Sequence, residues 1–150
     1  MNAIYKTIGT GIAVSALWMF SALGIAQGAP PAVDSIQTFK NQGSGRCIGD
    51  SSRGLLPERC DGTKFQKWNV SHVGAYSVLR NVATNACIDD SHHGLRAHPC
   101  NDQDYQKWLA VGDGTGAISL GNKKTRKCLD DSVSRLTAEE CKDGAFQLWR

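Results

Sequence analysis

The chain lacks the marks of several large protein classes. No stretch of its 150 residues sustains a 3.6-residue apolar period, which argues against a helical architecture. No two cysteines stand as Cys-x-x-Cys, and His72, His92, His93 and His98 follow no common spacing, so a structural zinc site has no ligand set. Positive charge is not in excess. With Lys6 set aside, 16 Lys and Arg face 14 Asp and Glu, and a net charge of +2 is too small for attraction to nucleic-acid phosphates to dominate. No nucleophile motif is present. Asp89-Asp90 and Asp130-Asp131 resemble carboxylate pairs, but a glycosidase needs two carboxyls facing each other across one bond, whereas neighbours on an extended segment point to opposite sides. His92-His93 beside Asp89-Asp90 reads as ordinary loop, with a metal site as the weaker alternative.

Only one apolar run is long. It extends from Ile8 to Ile25 behind the single charge of Lys6, and the small residues Gly24, Ala26 and Gly28 offer a processing site. The expected organisation is a signal peptide over residues 1–28, cleaved after Ala26 or Gly28, then a linker over 29–34 and a secreted, extracellular mature protein. The alternative is an uncleaved anchor, since spanning a bilayer takes about 20 apolar residues. The Ala-Pro-Pro-Ala sequence that follows favours processing. All six cysteines lie beyond the leader, an even count that fits disulfides in an oxidising compartment.

What the chain does contain is one unit three times. Cys47-Ile-Gly-Asp-Ser, Cys87-Ile-Asp-Asp-Ser and Cys128-Leu-Asp-Asp-Ser each run to a second cysteine, Cys60, Cys100 or Cys141, and then to Gln66-Lys-Trp68, Gln106-Lys-Trp108 or Gln147-Leu-Trp149. The first cysteines step by 40 and 41 residues and the Gln-x-Trp triplets step alike, the signature of a repeat architecture. Short apolar runs bounded by Gly, Asn, Asp and Ser, such as Tyr76-Ser-Val-Leu, suit strands, so the reading is all-β. The repeat also nominates the core: Phe39, Leu79 and Leu120; Ile48, Ile88 and Leu129; Leu55, Leu95 and Leu136; and Trp68, Trp108 and Trp149.

Three in-phase copies of Cys-Ile/Leu-Asp, second half-cystine and Gln-x-Trp resemble the ricin B-type lectin family. The resemblance covers residues 35–150 and implies a β-trefoil with repeats near 35–74, 75–115 and 116–150. A unit of four short strands cannot bury its apolar face alone, so three close around one axis, and the strand near Ile36 to Phe39 is expected beside the final strand. Symmetry permits a disulfide within each repeat or between equivalent neighbours. The expected pairing is within repeats, Cys47–Cys60, Cys87–Cys100 and Cys128–Cys141, each closing a loop worth about 3 kcal/mol on the chain-entropy model.

In that family an Asp two residues after the first cysteine accepts hydrogen bonds from sugar hydroxyls, which suits an ionised, acceptor-only carboxylate. The resemblance therefore implies carbohydrate binding by Asp89 and Asp130, with Gly49 marking a lost site in the first repeat. His98 and Tyr105 are candidate stacking rings in the second repeat, and Gln106 and Gln147 candidate sugar contacts, although Gln66 persists without an Asp and points to shared structure. Asp50, Asp90 and Asp131 read as turn residues bonding their own backbone, and Asn41, Asn81 and Asn122 as turn pins. Phe65, Tyr105 and Phe146 stand where sugar-binding members carry Asn. Because they recur in the repeat without the Asp, they read as core. Glu58, His98 and Glu140 stand just before the second cysteines, where an aromatic is common. Lys123-Lys-Thr-Arg-Lys127 reads as a solvated hairpin tip, or alternatively as an attractor of anionic glycan. Asn69-Val-Ser71 is a glycosylation sequon if the source is eukaryotic.

The expectation is a non-catalytic lectin without cofactor or metal, binding glycans or cell-surface polysaccharide through its second and third repeats, with no nucleic-acid partner and no stable membrane insertion after signal cleavage. The alternative is an adaptor or targeting subunit that docks on another secreted protein and has degenerate sugar pockets.

Overall fold

The computed structural model describes residues 34–150. The leader expected over 1–28, its cleavage sites and all but the last residue of the linker lie outside them.

The first repeat forms β1 (Ser35–Gln37), β2 (Cys47–Ser51), β3 (Gly54–Glu58) and β4 (Trp68–Val73). The second forms β5 (Tyr76–Asn81), β6 (Ala86–Ser91), β7 (Gly94–Pro99) and β8 (Trp108–Gly112). The third forms β9 (Ile118–Asn122), β10 (Lys127–Asp130) and β11 (Thr137–Glu140). A one-turn 3-10 helix ends on each repeat's glutamine: Lys64–Gln66, Asp104–Gln106 and Ala145–Gln147.

Antiparallel pairing runs β1 to β4, β4 to β5, β5 to β8 and β8 to β9. Trp149 then exchanges both backbone hydrogen bonds with Ile118 at 2.8 Å, and Arg150 and Lys40 exchange theirs at 2.7 and 2.9 Å, so the ring closes through the last two residues. The hairpins β2–β3, β6–β7 and β10–β11 stand off this ring, one per repeat. The contact expected between the final strand and Ile36 to Phe39 falls instead at Lys40 and Asn41, and β1 lies along β4. Phe39 turns into the core and the Asn41 turn follows at once, which moves the pairing onward.

The interior is the set that the repeat nominates. Phe39, Ile48, Leu79, Ile88, Leu120, Leu129, Leu136 and the three closing tryptophans form one buried cluster, with Leu55 and Leu95 packed against it and Val70 added from β4. Each indole has its polar edge satisfied: Trp68, Trp108 and Trp149 donate Nε1–H to the carbonyls of Ile48, Ile88 and Leu129 at 3.0, 3.0 and 3.2 Å. A buried N–H without such a partner is costly, and the acceptor lies 20 residues before the Trp in every repeat, so the bond ties the Trp to a fixed spacing from the first cysteine. The disulfides are Cys47–Cys60, Cys87–Cys100 and Cys128–Cys141, with no free cysteine among the described residues.

Polar side chains join the repeats. Asn41, Asn81 and Asn122 each accept two backbone N–H groups of their own turn and donate Nδ2–H to the carbonyl of Phe146, Phe65 or Tyr105 in the preceding repeat at 2.7–2.8 Å. Asp50, Asp90 and Asp131 are structural, but the expected bond to their own turn is replaced by a longer reach. Each accepts the hydroxyl of the following repeat's turn, Thr84, Thr125 or, across the closure, Ser44.

The expectation that Phe65, Tyr105 and Phe146 are core is overturned. Phe65 and Phe146 are 44% and 42% exposed and Tyr105 is half-buried. The 3-10 turn directs its glutamine inward and leaves the preceding ring outside. In the second and third repeats the ring covers the next asparagine turn: the Phe146 ring lies so close to Gly43 that a Cβ there would stand 2.7 Å from it, and Lys124 sits 5.9 Å above Tyr105.

Candidate functional site

The second repeat holds the richest constellation. β6 and β7 pair Asp89 with Arg96 and Cys87 with His98. Opposed residues, and residues two apart on a strand, share a face, so Asp89, Arg96 and His98 lie on one side of the hairpin while Ile88 enters the core on the other. The Asp89 carboxylate is only 2% exposed. Arg96 Nε donates to its Oδ1 at 3.2 Å and Gln106 Nε2 to its Oδ2 at 3.3 Å. Arg96 is one-third exposed and its guanidinium makes this one hydrogen bond among the described residues, so it forms the outer wall of the site. His98 and Tyr105 are half-buried, Tyr105 preceding Gln106 on the 3-10 turn.

In the third repeat Asp130 is wholly buried. The Ser132 N–H donates to Oδ1 at 2.7 Å and Gln147 Nε2 to Oδ2 at 2.9 Å. Burial raises the pKa of this carboxyl, but the Ser132 and Gln147 hydrogen bonds and the charge of Lys142 outweigh it, and the group lies below its ordinary value. No arginine pairs with it among the described residues, and a wider unpaired loop between β10 and β11 replaces the tight turn of the other hairpins.

The first repeat lacks the Asp and fills its space differently. A Cβ on Gly49 would stand 3.0 Å from Glu58 Oε2, so the Glu58 carboxylate, paired with Arg53, occupies the place that the family's aspartate side chain would take. That relocation is invisible in the repeat alignment. A Glu at the position of His98, opposite Cys47 and on the same hairpin face as Gly49, is the signal that could have revealed it.

Gln66, Gln106 and Gln147 do the same work three times. Each accepts a backbone N–H just beyond the second cysteine at 2.9 Å and donates to the carbonyl just before it at 2.7–3.0 Å. The structure therefore places Gln106 and Gln147 in the interior, bracing their carboxylates from below. Asp89, His98, Tyr105 and Gln106 are brought together, as are Asp130 and Gln147. The cationic run disperses. Lys123 pairs with Asp104 at 3.0 Å, Lys124 lies over Tyr105, and Lys127 lines a cleft between hairpins.

Three hairpins around a ring of antiparallel strands, with a buried glutamine in every repeat and a carboxylate beside it in two, define a β-trefoil of the lectin type. Residues 64–149 match the family model described as ricin-type beta-trefoil lectin domain-like, and the chain belongs to that family. No curated protein sequence matches it. Solved structures that resemble it include the designed three-fold symmetric protein ThreeFoil, at TM-score 0.70 and 18% identity over 77% of this chain and 96% of that one. SeviL bound to asialo-GM1 saccharide gives TM-score 0.68 and 15% identity over 78% and 95%. The hemolytic lectin CEL-III gives 0.66 and 19% over 77% and 29%, so this chain spans under a third of that protein. At these identities the likeness is one of fold.

Proposed function

We propose that the protein is a secreted, non-catalytic carbohydrate-binding protein that engages glycans mainly through the second repeat and more weakly through the third. One observation carries the reading: Asp89, Arg96 and His98 share an outward hairpin face with Gln106 braced behind them and Tyr105 beside it. An ionised carboxylate accepts sugar hydroxyls, a guanidinium donates to ring oxygens, and a ring edge covers the apolar side of a pyranose. Arg96 acts as the gate, because its hydrogen bond to Asp89, at a part-exposed site, is cheap to exchange for a bond from a hydroxyl. Asp130 Oδ1 is held by the Ser132 backbone N–H, which cannot swing aside as the Arg96 side chain can, and Glu139 stands opposite Cys128 where His98 stands opposite Cys87, which makes the third repeat the weaker site. Family membership and the saccharide bound to SeviL support this reading.

The test is a glycan array with oxidised protein beside folded Asp89→Asn and Asp130→Asn variants. Asp89→Asn is expected to lower binding at least tenfold and Asp130→Asn less. Silence of the wild type on a broad array would abandon the lectin reading for an adaptor that docks on another secreted protein.

A further inference from the structure

The junctions between consecutive repeats are built alike from the second Asp and the next repeat's turn hydroxyl, yet they are closed differently. The residue before the first cysteine is Arg46, Ala86 or Lys127. Arg46 reaches across the ring closure to Asp131, Nη2 to Oδ1 at 2.6 Å, and also donates to the Val133 carbonyl at 2.8 Å, so its charge is spent within the protein. Ala86 brings no charge to the junction of the first and second repeats. Lys127 lines a cleft of about 550 Å³ between the β6–β7 hairpin and the third repeat, and it has no ion pair among the described residues.

A second cation enters the same cleft. Gly54 and Gly94 end the tight turns of the first two hairpins at φ of +89° and +81°, but the third repeat carries Arg135 there. There the strands stay unpaired between Asp130 and Thr137, and this wider loop of the same chain length frees the position from the left-handed region that favours glycine. Arg135 is exposed, lines the cleft and likewise has no ion pair among the described residues. The opposite wall is the turn of β6–β7, where the His92 and His93 rings lie 3.8 Å apart. Thr137 also lines the cleft, and its Oγ1 is buried without a hydrogen-bond partner, a state that stays costly until a polar group meets it.

Two carboxyls share these walls. Asp90 is already engaged by the Thr125 hydroxyl, and burial pushes its carboxyl above the ordinary range, leaving Glu139 as the free acid opposite two cations and two imidazoles. The volume falls within the roughly 300–1,000 Å³ of small-ligand pockets. Asp89 and Asp90 are neighbours on β6 and point to opposite sides, so this cleft is separate from the Asp89 face.

We propose that the cleft between the second and third repeats binds an acidic saccharide unit. Lys127 and Arg135 hold its carboxylate or sulfate, and the His92-His93 turn donates to its hydroxyls.

Titration of the oxidised protein with polygalacturonate, dextran sulfate and neutral dextran oligosaccharides tests this. Lys127→Ala and Arg135→Gln are each expected to weaken acidic-oligosaccharide binding at least tenfold. The exposed control Lys64→Ala leaves it unchanged. A preference for polygalacturonate assigns the bound group as carboxylate, and one for dextran sulfate as sulfate. The proposal is overturned if neither acidic ligand outbinds neutral dextran, or if Lys64→Ala costs as much as Lys127→Ala. Lys127→Ala installs the residue found at position 86, and a chemical-denaturation midpoint equal to wild type establishes that it is folded. Failure of the Asp89 site on neutral glycans would leave this result standing.

Discussion

In the first repeat Gly49 and Glu58 occupy the space that Asp89 and His98 share in the second, yet the indole, the glutamine and the asparagine turn around them make the same bonds to the backbone. Groups that recur in both repeats hold the trefoil together, and groups that differ are free of that duty. This separates Gln106 from Asp89: the glutamine persists because backbone N–H and C=O groups need it, whereas the carboxylate is dispensable to the fold. Asp50, Asp90 and Asp131 belong with the glutamines, since each clasps a hydroxyl of the next repeat.

The comparison can be broken hardest at the tryptophans. Trp68→Ala, Trp108→Ala and Trp149→Ala should each cost about 3–5 kcal/mol, and nearly equally, because all three are at most 1% exposed. Urea denaturation would check this, and a mild Trp149 variant would show that closure through the last two residues is not needed. Next come the asparagines. Asn81→Ala and Asn122→Ala leave one buried carbonyl and two turn N–H groups without partners, at a cost of about 1–3 kcal/mol each by the same measurement.

A transplant sharpens the contrast between sites. Gly49→Asp alone should destabilise by about 1–3 kcal/mol through overpacking against Glu58, while Gly49→Asp with Glu58→His should recover most of that loss. Additive effects in the double-mutant cycle would contradict the shared space.

The smallest effects separate the two kinds of Asp by pH. Burial, only partly offset by Thr125 and Lys127, raises the Asp90 pKa above 3.8, so its contribution to stability is complete below 3.8 and is lost as pH rises through the folded value. Asp130 has the opposite sign: its contribution holds above 3.8 and is lost as pH falls through a folded value below that. Asp90→Asn should stay within about 1 kcal/mol of wild type at pH 7, because the amide still accepts the Thr125 hydroxyl, and should fall behind wild type on acidification toward pH 4. Asp130→Asn should lose its difference from wild type only below pH 3.8. Denaturation midpoints at pH 7, 5 and 3 discriminate the two.

Much of this was legible in the chain itself. A period of 40 and 41 residues names the equivalent positions, and equivalence narrows the cysteine pairing to one bond per repeat or a bond between neighbours and picks out Ile48, Ile88, Leu129 and the tryptophans as interior. The aromatic residues before the glutamines misled for the same reason: recurrence signals a shared duty without telling whether that duty is performed inside or at the surface. Phe146 recurs to cover Gly43, a contact between the third repeat and the first.

The sequence by itself determined the architecture, because three copies of one unit must bury like residues alike, and it marked Asp89 and Asp130 as the carboxylates that survive. Only the tertiary structure decided what those groups face. Arg96 over Asp89, Glu58 in the space beside Gly49, and Lys127 and Arg135 across from His92 and His93 are meetings between strands or between repeats. Such meetings depend on which side of a strand each residue takes and how each loop turns, and a spacing along the chain carries neither.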